Sequence, residues 1–173
     1  MKRLICSACL FLSLAPWAAA AERPGPLVAG LKNPEAVAVA AKGKVYVTVA
    51  GELDKDGDGA VLSVEKDKAV PFATGLDDPR GIVAWGGFLY VADKKRVWRI
   101  GPRGKPEVFA AAGAFPTAPG SLHAIDVDET GTLYVCDVGD REGKGAAVYR
   151  IDLRGKVTRA ADARRSPALK APA

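Results

Sequence analysis

An all-β fold assembled from repeated four-stranded units is predicted by three observations. A short apolar phrase centred on Tyr recurs as Val45-Tyr46-Val47, Leu89-Tyr90-Val91 and Leu133-Tyr134-Val135, and each gap between the tyrosines is 44 residues. The apolar runs are short, rich in β-branched and aromatic side chains, and bounded by Gly, Pro and Asp, as strands are. Between them nothing sustains a 3.6-residue period, so helix is expected to be scarce. A constant period of this size marks units that bury their apolar faces only against one another, and about 40–50 residues of strand per unit is the span of a β-propeller blade.

Each unit reads as four antiparallel strands. The first has runs at 36–39, 45–49, 61–64 and 69–73, with turn residues at 42–44 and 66–68. The second has 81–84, 88–92, 97–100 and 107–110, with Gly86-Gly87 and Gly101-Pro102-Arg103-Gly104 between them. The third has 124–127, 132–136, 148–151 and 157–160, turning at Glu129-Thr130-Gly131 and Arg154-Gly155. The blades are expected at about 34–74, 79–111 and 122–161.

Two flanking phrases repeat parts of these units. Pro26-Leu27-Val28-Ala29-Gly30-Leu31 resembles Pro71-Phe72-Ala73-Thr74-Gly75-Leu76, so 26–31 is expected to be an N-terminal closing strand of the kind that completes a propeller's last blade. Leu169-Lys170-Ala171-Pro172 repeats Leu31-Lys32-Asn33-Pro34 and Leu76-Asp77-Asp78-Pro79, so 169–173 is expected to begin a fourth blade. Closed rings have about 4–8 blades, and fewer leave open edges. The expectation is an incomplete propeller, either a truncated product or half of a homodimer that completes six blades. Truncation is preferred, because the Leu-x-x-Pro phrase has no role in a finished three-blade protein.

Residues 1–21 read as a secretory signal peptide: Lys2 and Arg3, an apolar stretch at 4–14, then Ala18-Ala19-Ala20-Ala21. The stretch is too short to span a bilayer, which needs about 20 residues. The expected location is secreted or periplasmic, with no membrane partner. Removing this segment lowers the formal charge from +5 to +3 and leaves Cys136 as the one cysteine, so no intramolecular disulfide is expected. Cys136 stands where the other units have Thr48 and Ala92, which predicts a buried structural thiol. Basic residues are scattered among acidic ones without aromatic interleaving, and nucleic-acid binding is excluded.

The phrases Gly75-Leu76-Asp77-Asp78-Pro79-Arg80-Gly81-Ile82, Leu89-Tyr90-Val91-Ala92-Asp93 and Gly131-Thr132-Leu133-Tyr134-Val135-Cys136-Asp137 resemble the six-bladed propellers of the senescence marker protein/gluconolactonase group and the related NHL-repeat proteins. The resemblance covers about 26–173 and implies a metal-dependent lactone or ester hydrolase, with a Glu at an early inner strand and Asn and Asp from later blades as metal ligands. Glu35 fits the Glu position. The Asn of the family's Pro-Asn-Gly phrase is replaced in Pro79-Arg80-Gly81, and its Asn-Asp phrase is His123-Ala124; Asn33 is the only Asn in the chain. The ligand set is therefore incomplete, and the chain is expected to be inactive alone. The alternative is a propeller scaffold that binds a small molecule or protein without chemistry.

Glu35, Arg80 and His123 start first strands and Asp93 and Asp137 end second strands, so all five are expected at one rim of the channel, where propellers bind ligands. Glu35 and His123 are the catalytic candidates, since the chain's one histidine could move a proton or bind a metal beside a carboxylate. The enlarged loop at 51–59 adds a calcium motif. Asp54, Asp56, Asp58, Gly59 and Glu65 match D-x-D-x-D-G-x5-E. Three alternating carboxylates wrap one point and Glu65 would add two oxygens, as hard Ca2+ requires. The flanking runs read as strands rather than helices.

Overall fold

A computed structural model describes residues 25–52 and 55–162. The signal-peptide segment, Asp54 and the fourth-blade phrase at 169–173 lie outside the described residues.

Twelve strands form three four-stranded antiparallel sheets, each in simple meander order. The first sheet holds β1 (Pro34–Val39), β2 (Val45–Val49), β3 (Gly59–Glu65) and β4 (Lys68–Leu76). The second holds β5 (Pro79–Trp85), β6 (Phe88–Asp93), β7 (Arg96–Ile100) and β8 (Pro106–Ala110). The third holds β9 (Leu122–Val127), β10 (Leu133–Asp137), β11 (Ala147–Ile151) and β12 (Val157–Asp162). Helix among the described residues is limited to two single 3-10 turns, Ala41–Gly43 and Ala112–Ala114. The first strand of each sheet is the inner one, and β5 packs against both β1 and β9.

Packing explains the repeated phrase. Strand side chains alternate between faces, so in the second blade Tyr90, Ala92 and Val97 face the third blade while Leu89, Val91 and Ile100 face the first. Both faces are buried, which is why these strands read as continuous apolar runs. The tyrosine seals the forward interface: Tyr46 packs against Phe72 at 4.8 Å and Tyr90 against Phe109 at 5.1 Å between ring centroids. In the third blade the same register position, Tyr134, is 38% exposed. Cys136 shares that face and is also exposed, which corrects the expectation of a buried thiol. The position is interior in the first two blades only because another blade covers it.

The inner strands approach too closely for a side chain at Gly81. A Cβ there would sit 2.4 Å from the carbonyl oxygen of His123 and 2.9 Å from the amide nitrogen of Ile125. The segment 26–31, expected as a closing strand, pairs with none of the three sheets. It runs beside Val49, Leu62 and Ala69 on the outer face of the first blade.

Candidate functional site

Each inner strand starts with a bulge at the same end of the molecule. In the first blade Pro34 pairs with Val49 and Ala36 with Thr48, leaving Glu35 unpaired. In the second, Pro79 pairs with Asp93 and Ile82 with Val91, so Arg80 and Gly81 oppose Ala92 alone. In the third, Leu122 pairs with Asp137 and Ile125 with Val135, so His123 and Ala124 oppose Cys136. A bulge turns a side chain out of the alternating pattern, which is why bulges cluster at binding sites. Here three of them present Glu35, Arg80 and His123 along one rim.

Arg80, not His123, is the partner of Glu35. Its Nη1 donates to Glu35 Oε1 at 2.8 Å and its Nη2 to Asp78 Oδ2 at 3.0 Å. Burial opposes the guanidinium's charge, but the hydrogen bonds and charges of Asp78 and Glu35 outweigh it and hold the pKa above its ordinary value. Thr48, fully buried, accepts from the Ala36 amide at 3.0 Å and donates to the Arg80 carbonyl at 2.8 Å. One hydroxyl thus fixes the Glu35 bulge against the Arg80 bulge across the blade boundary. The two side chains meet in a polar cleft of about 280 Å³ whose lining includes Asn33, Asp56, Asp78 and Lys94. His123 is exposed one blade further along and does not line this cleft.

Asp93 and Asp137 do not face the channel. Both are buried, and each carboxylate is an acceptor for the turn leading into its inner strand. Asp93 accepts from the amides of Asp77 at 3.1 Å and Asp78 at 2.5 Å, and from Trp98 Nε1 at 2.6 Å. Asp137 accepts from the amides of Gly120, Ser121 and Gly139 at 2.9–3.1 Å. A strand-end carboxylate that caps three donors is a structural clamp, and it sets the positions of Asp78 and Arg80 on one blade and His123 on the next.

The loop between β2 and β3 divides the calcium motif. Asp54 lies outside the described residues. Asp56 pairs with Lys94 from the next blade. Asp58 accepts from the Glu52 amide at 3.0 Å and pairs with Lys55 at 3.4 Å; the Glu52 bond, first, and then Lys55 hold its carboxyl below the usual range against the opposing effect of desolvation. Asp58 is also why residue 51 is Gly, since a Cβ there would overlap Asp58 Oδ1 at 1.6 Å. Glu65 is not part of this cluster. It ends the seven-residue strand that Gly59 begins, so at about 3.3 Å per residue it lies some 20 Å away. There it bonds Ser63 at 3.2 Å and pairs with Lys44 at 3.6 Å. The x5 spacing is read correctly along the chain, but an extended strand occupies it instead of a loop that folds back. Among the described residues no group of three or more His, Cys, Asp or Glu is gathered to hold a metal.

Sequence reasoning missed Thr48, Asp78 and Lys94. Asp78-Pro79 before an inner strand was a readable signal for a carboxylate at the bulge. Nothing in the sequence marks Thr48 or Lys94 as reaching across a blade boundary.

No family model and no curated protein matches the chain. Solved structures do. A gluconolactonase from Xanthomonas campestris matches 79% of this chain and 50% of its own, with TM-score 0.62 and 18% identity. Regucalcin from Agrobacterium tumefaciens strain C58, a calcium-binding protein, matches 73% of this chain and 44% of its own, with TM-score 0.58 and 23% identity. A PQQ-bound aldose sugar dehydrogenase from Streptomyces coelicolor matches 76% and 47%, with TM-score 0.57 and 18% identity. The fold is the β-propeller. At these identities the likeness is one of fold, and propellers carry many chemistries on the same blades. The chain spans about half the length of the propellers it matches. Function must be argued from the propeller's rim.

Proposed function

We propose that this chain is an exported, gluconolactonase-like propeller protein whose rim cleft receives a lactone or ester of a sugar-like acid. The observation that carries this reading is the meeting of Glu35 and Arg80 at the bulged starts of two inner strands, inside a cleft whose lining includes the polar side chains of Asn33, Asp56, Asp78 and Lys94. Carboxylates at Glu35 and Asp78 accept from ligand hydroxyls, while Arg80 and Lys94 donate to carbonyl or carboxylate oxygen. A polyhydroxylated ligand satisfies both sets, and an apolar one satisfies neither. The gluconolactonase-like neighbours, and the sequence resemblance that first suggested them, support the lactone class.

The resemblance implies a divalent metal, and the residues at this rim do not fit one. Glu35 is bonded to a guanidinium, Arg80 stands in place of an amide ligand, and among the described residues no group of three or more His, Cys, Asp or Glu is gathered to hold a metal. We therefore derive no metal-bound step, and propose that the chain alone binds its ligand without turning it over.

Titration of the purified chain with glucono-1,5-lactone and gluconate, followed by calorimetry and by proton release, tests this. Saturable binding that Glu35→Gln weakens about tenfold is expected, without hydrolysis above the buffer rate. Absence of binding to both compounds refutes the reading.

A further inference from the structure

The two rim carboxylates converge on a cation, and that cation is built into the chain. Arg80 bridges Glu35 Oε1 and Asp78 Oδ2 through different nitrogens, at 2.8 and 3.0 Å. A guanidinium carries five N–H donors in a fixed plane and stays protonated at any physiological pH. It cannot be titrated off, and it cannot leave, because Thr48 pins the Arg80 backbone to the first blade. All three side chains are held partly out of solvent, with Arg80 only 28% exposed.

We infer that Arg80 replaces a divalent metal as the fixed positive centre of this rim, making the site a metal-independent receptor for ligand oxygen. Two consequences separate this from a surface ion pair. A divalent cation approaching Glu35 meets a permanent like charge already bonded to the same oxygen, so the native rim excludes it. Removing the guanidinium takes from Glu35 and Asp78 the cation they share, the cleft's lysines Lys55 and Lys94 being paired with Glu52, Asp58 and Asp56; grouped carboxylate oxygens are what a hard cation binds. Asparagine at this position adds an amide oxygen to them. The native chain is thus one substitution from a cation site, and Arg80 is what closes it.

The inference stands apart from the lactone reading, because its readout is metal occupancy. Free Mn2+ is followed by electron paramagnetic resonance as the metal is added to the wild type, Glu35→Gln, Arg80→Asn, Arg80→Gln and the double variant Glu35→Gln/Arg80→Asn. Circular dichroism confirms that each is folded. Any ion held by the 51–59 loop is common to all five and cancels. Identical curves for wild type and Glu35→Gln are expected, with at least tenfold tighter binding in Arg80→Asn that the double variant loses. Arg80→Gln gives a second removal of the charge if the Asn variant does not fold. Mn2+ binding by the wild type that Glu35→Gln abolishes overturns the inference. So does a folded Arg80 variant that gains nothing.

Discussion

Replacing Asp93 by alanine is expected to be among the most damaging single changes outside the apolar core. The side chain is fully buried and is the common acceptor for three donors: the amides of Asp77 and Asp78 and the indole N–H of Trp98. Each buried donor left without a partner costs about 1–3 kcal/mol. Water entering the space of the lost carboxylate recovers part of this, so the net loss is about 3–5 kcal/mol, in the range seen when a buried charge network is broken. Against a total stability of about 5–15 kcal/mol this is a large fraction. With a urea slope of about 2 kcal/mol per molar, the midpoint should fall by roughly 2 M. Asp93→Asn keeps the size and one acceptor but turns an NH2 toward donors, and should fall between. Trp98→Phe removes a single donor and keeps most of the ring packing beneath Arg96, so it should cost about 1.5–3 kcal/mol, the worth of one bond to a charged group. Equilibrium urea unfolding by fluorescence and circular dichroism gives all three values. If Asp93→Ala lies within 1 kcal/mol of wild type, or if Trp98→Phe costs as much as Asp93→Ala, the clamp is not what holds this turn.

Gly81→Ala should lower the melting temperature by about 4–10 °C in calorimetry, since backbone atoms of β9 stand in the way and overpacking costs about 1–3 kcal/mol; a shift under one degree refutes the close approach. Acid sensitivity has a defined source in the third blade. The Asp128 carboxyl is held below its ordinary pKa first by the Thr130 hydroxyl, and Asp152 first by the Lys156 amide. A depressed folded-state pKa gives stability that is complete above the unfolded value of about 4 and is lost as pH falls through the folded one. The urea midpoint of Asp128→Asn/Asp152→Asn should therefore change less between pH 5 and pH 2 than that of wild type, and parallel curves would exclude these turns as the source. Val37 and Val39 are 61% and 66% exposed, on the face whose counterparts Ile82 and Ile125 are buried between blades. In the other two units a neighbouring blade covers this face, and we propose that a second copy can cover it here. Sedimentation should show a dimer for the wild type and a monomer for Val37→Lys/Val39→Lys, and a monomeric wild type refutes it.

How much of this was legible in the sequence depended on whether the deciding contact was local. The tyrosine period announced three sheets because the tyrosine takes the same strand register in every unit and is packed between blades in the first two, where Tyr46 meets Phe72 and Tyr90 meets Phe109. Hairpin turns were equally readable: Lys66-Asp67 closes β3 to β4 with both residues at positive φ, 48° and 63°, within a segment marked as a turn by its polarity alone. The rim candidates were placed at the correct end of the strands, but their partners were not readable. Glu35 and Arg80 are 45 positions apart, and their meeting depends on two bulges and a threonine whose hydroxyl crosses a blade boundary. Asp93 and Asp137 look like rim residues because a polar side chain at a strand end is ordinarily solvated. Their burial follows from the preceding turn folding over them, a contact with no local signature. Glu65 failed for the opposite reason, since a spacing defined for a closed loop was spread along an extended strand.

The repeat also explains why the site lies where it does. A residue within a blade faces one neighbouring blade or the other, so its size and polarity are dictated by a packed interface on either side. The bulged position opposite Thr48, Ala92 or Cys136 faces neither. It is turned toward the rim, and the three equivalent places hold Glu35, Arg80 and His123: a carboxylate, a permanent cation and an imidazole. Positions that packing constrains came out alike in the three units, and positions that packing releases came out chemically different. A propeller can therefore change its chemistry at these bulges without disturbing the interfaces that hold it together. The guanidinium beside Glu35 stands at such a position. It sets the charge of the rim while the Thr48 hydroxyl, bonded only to backbone, keeps both bulges in place.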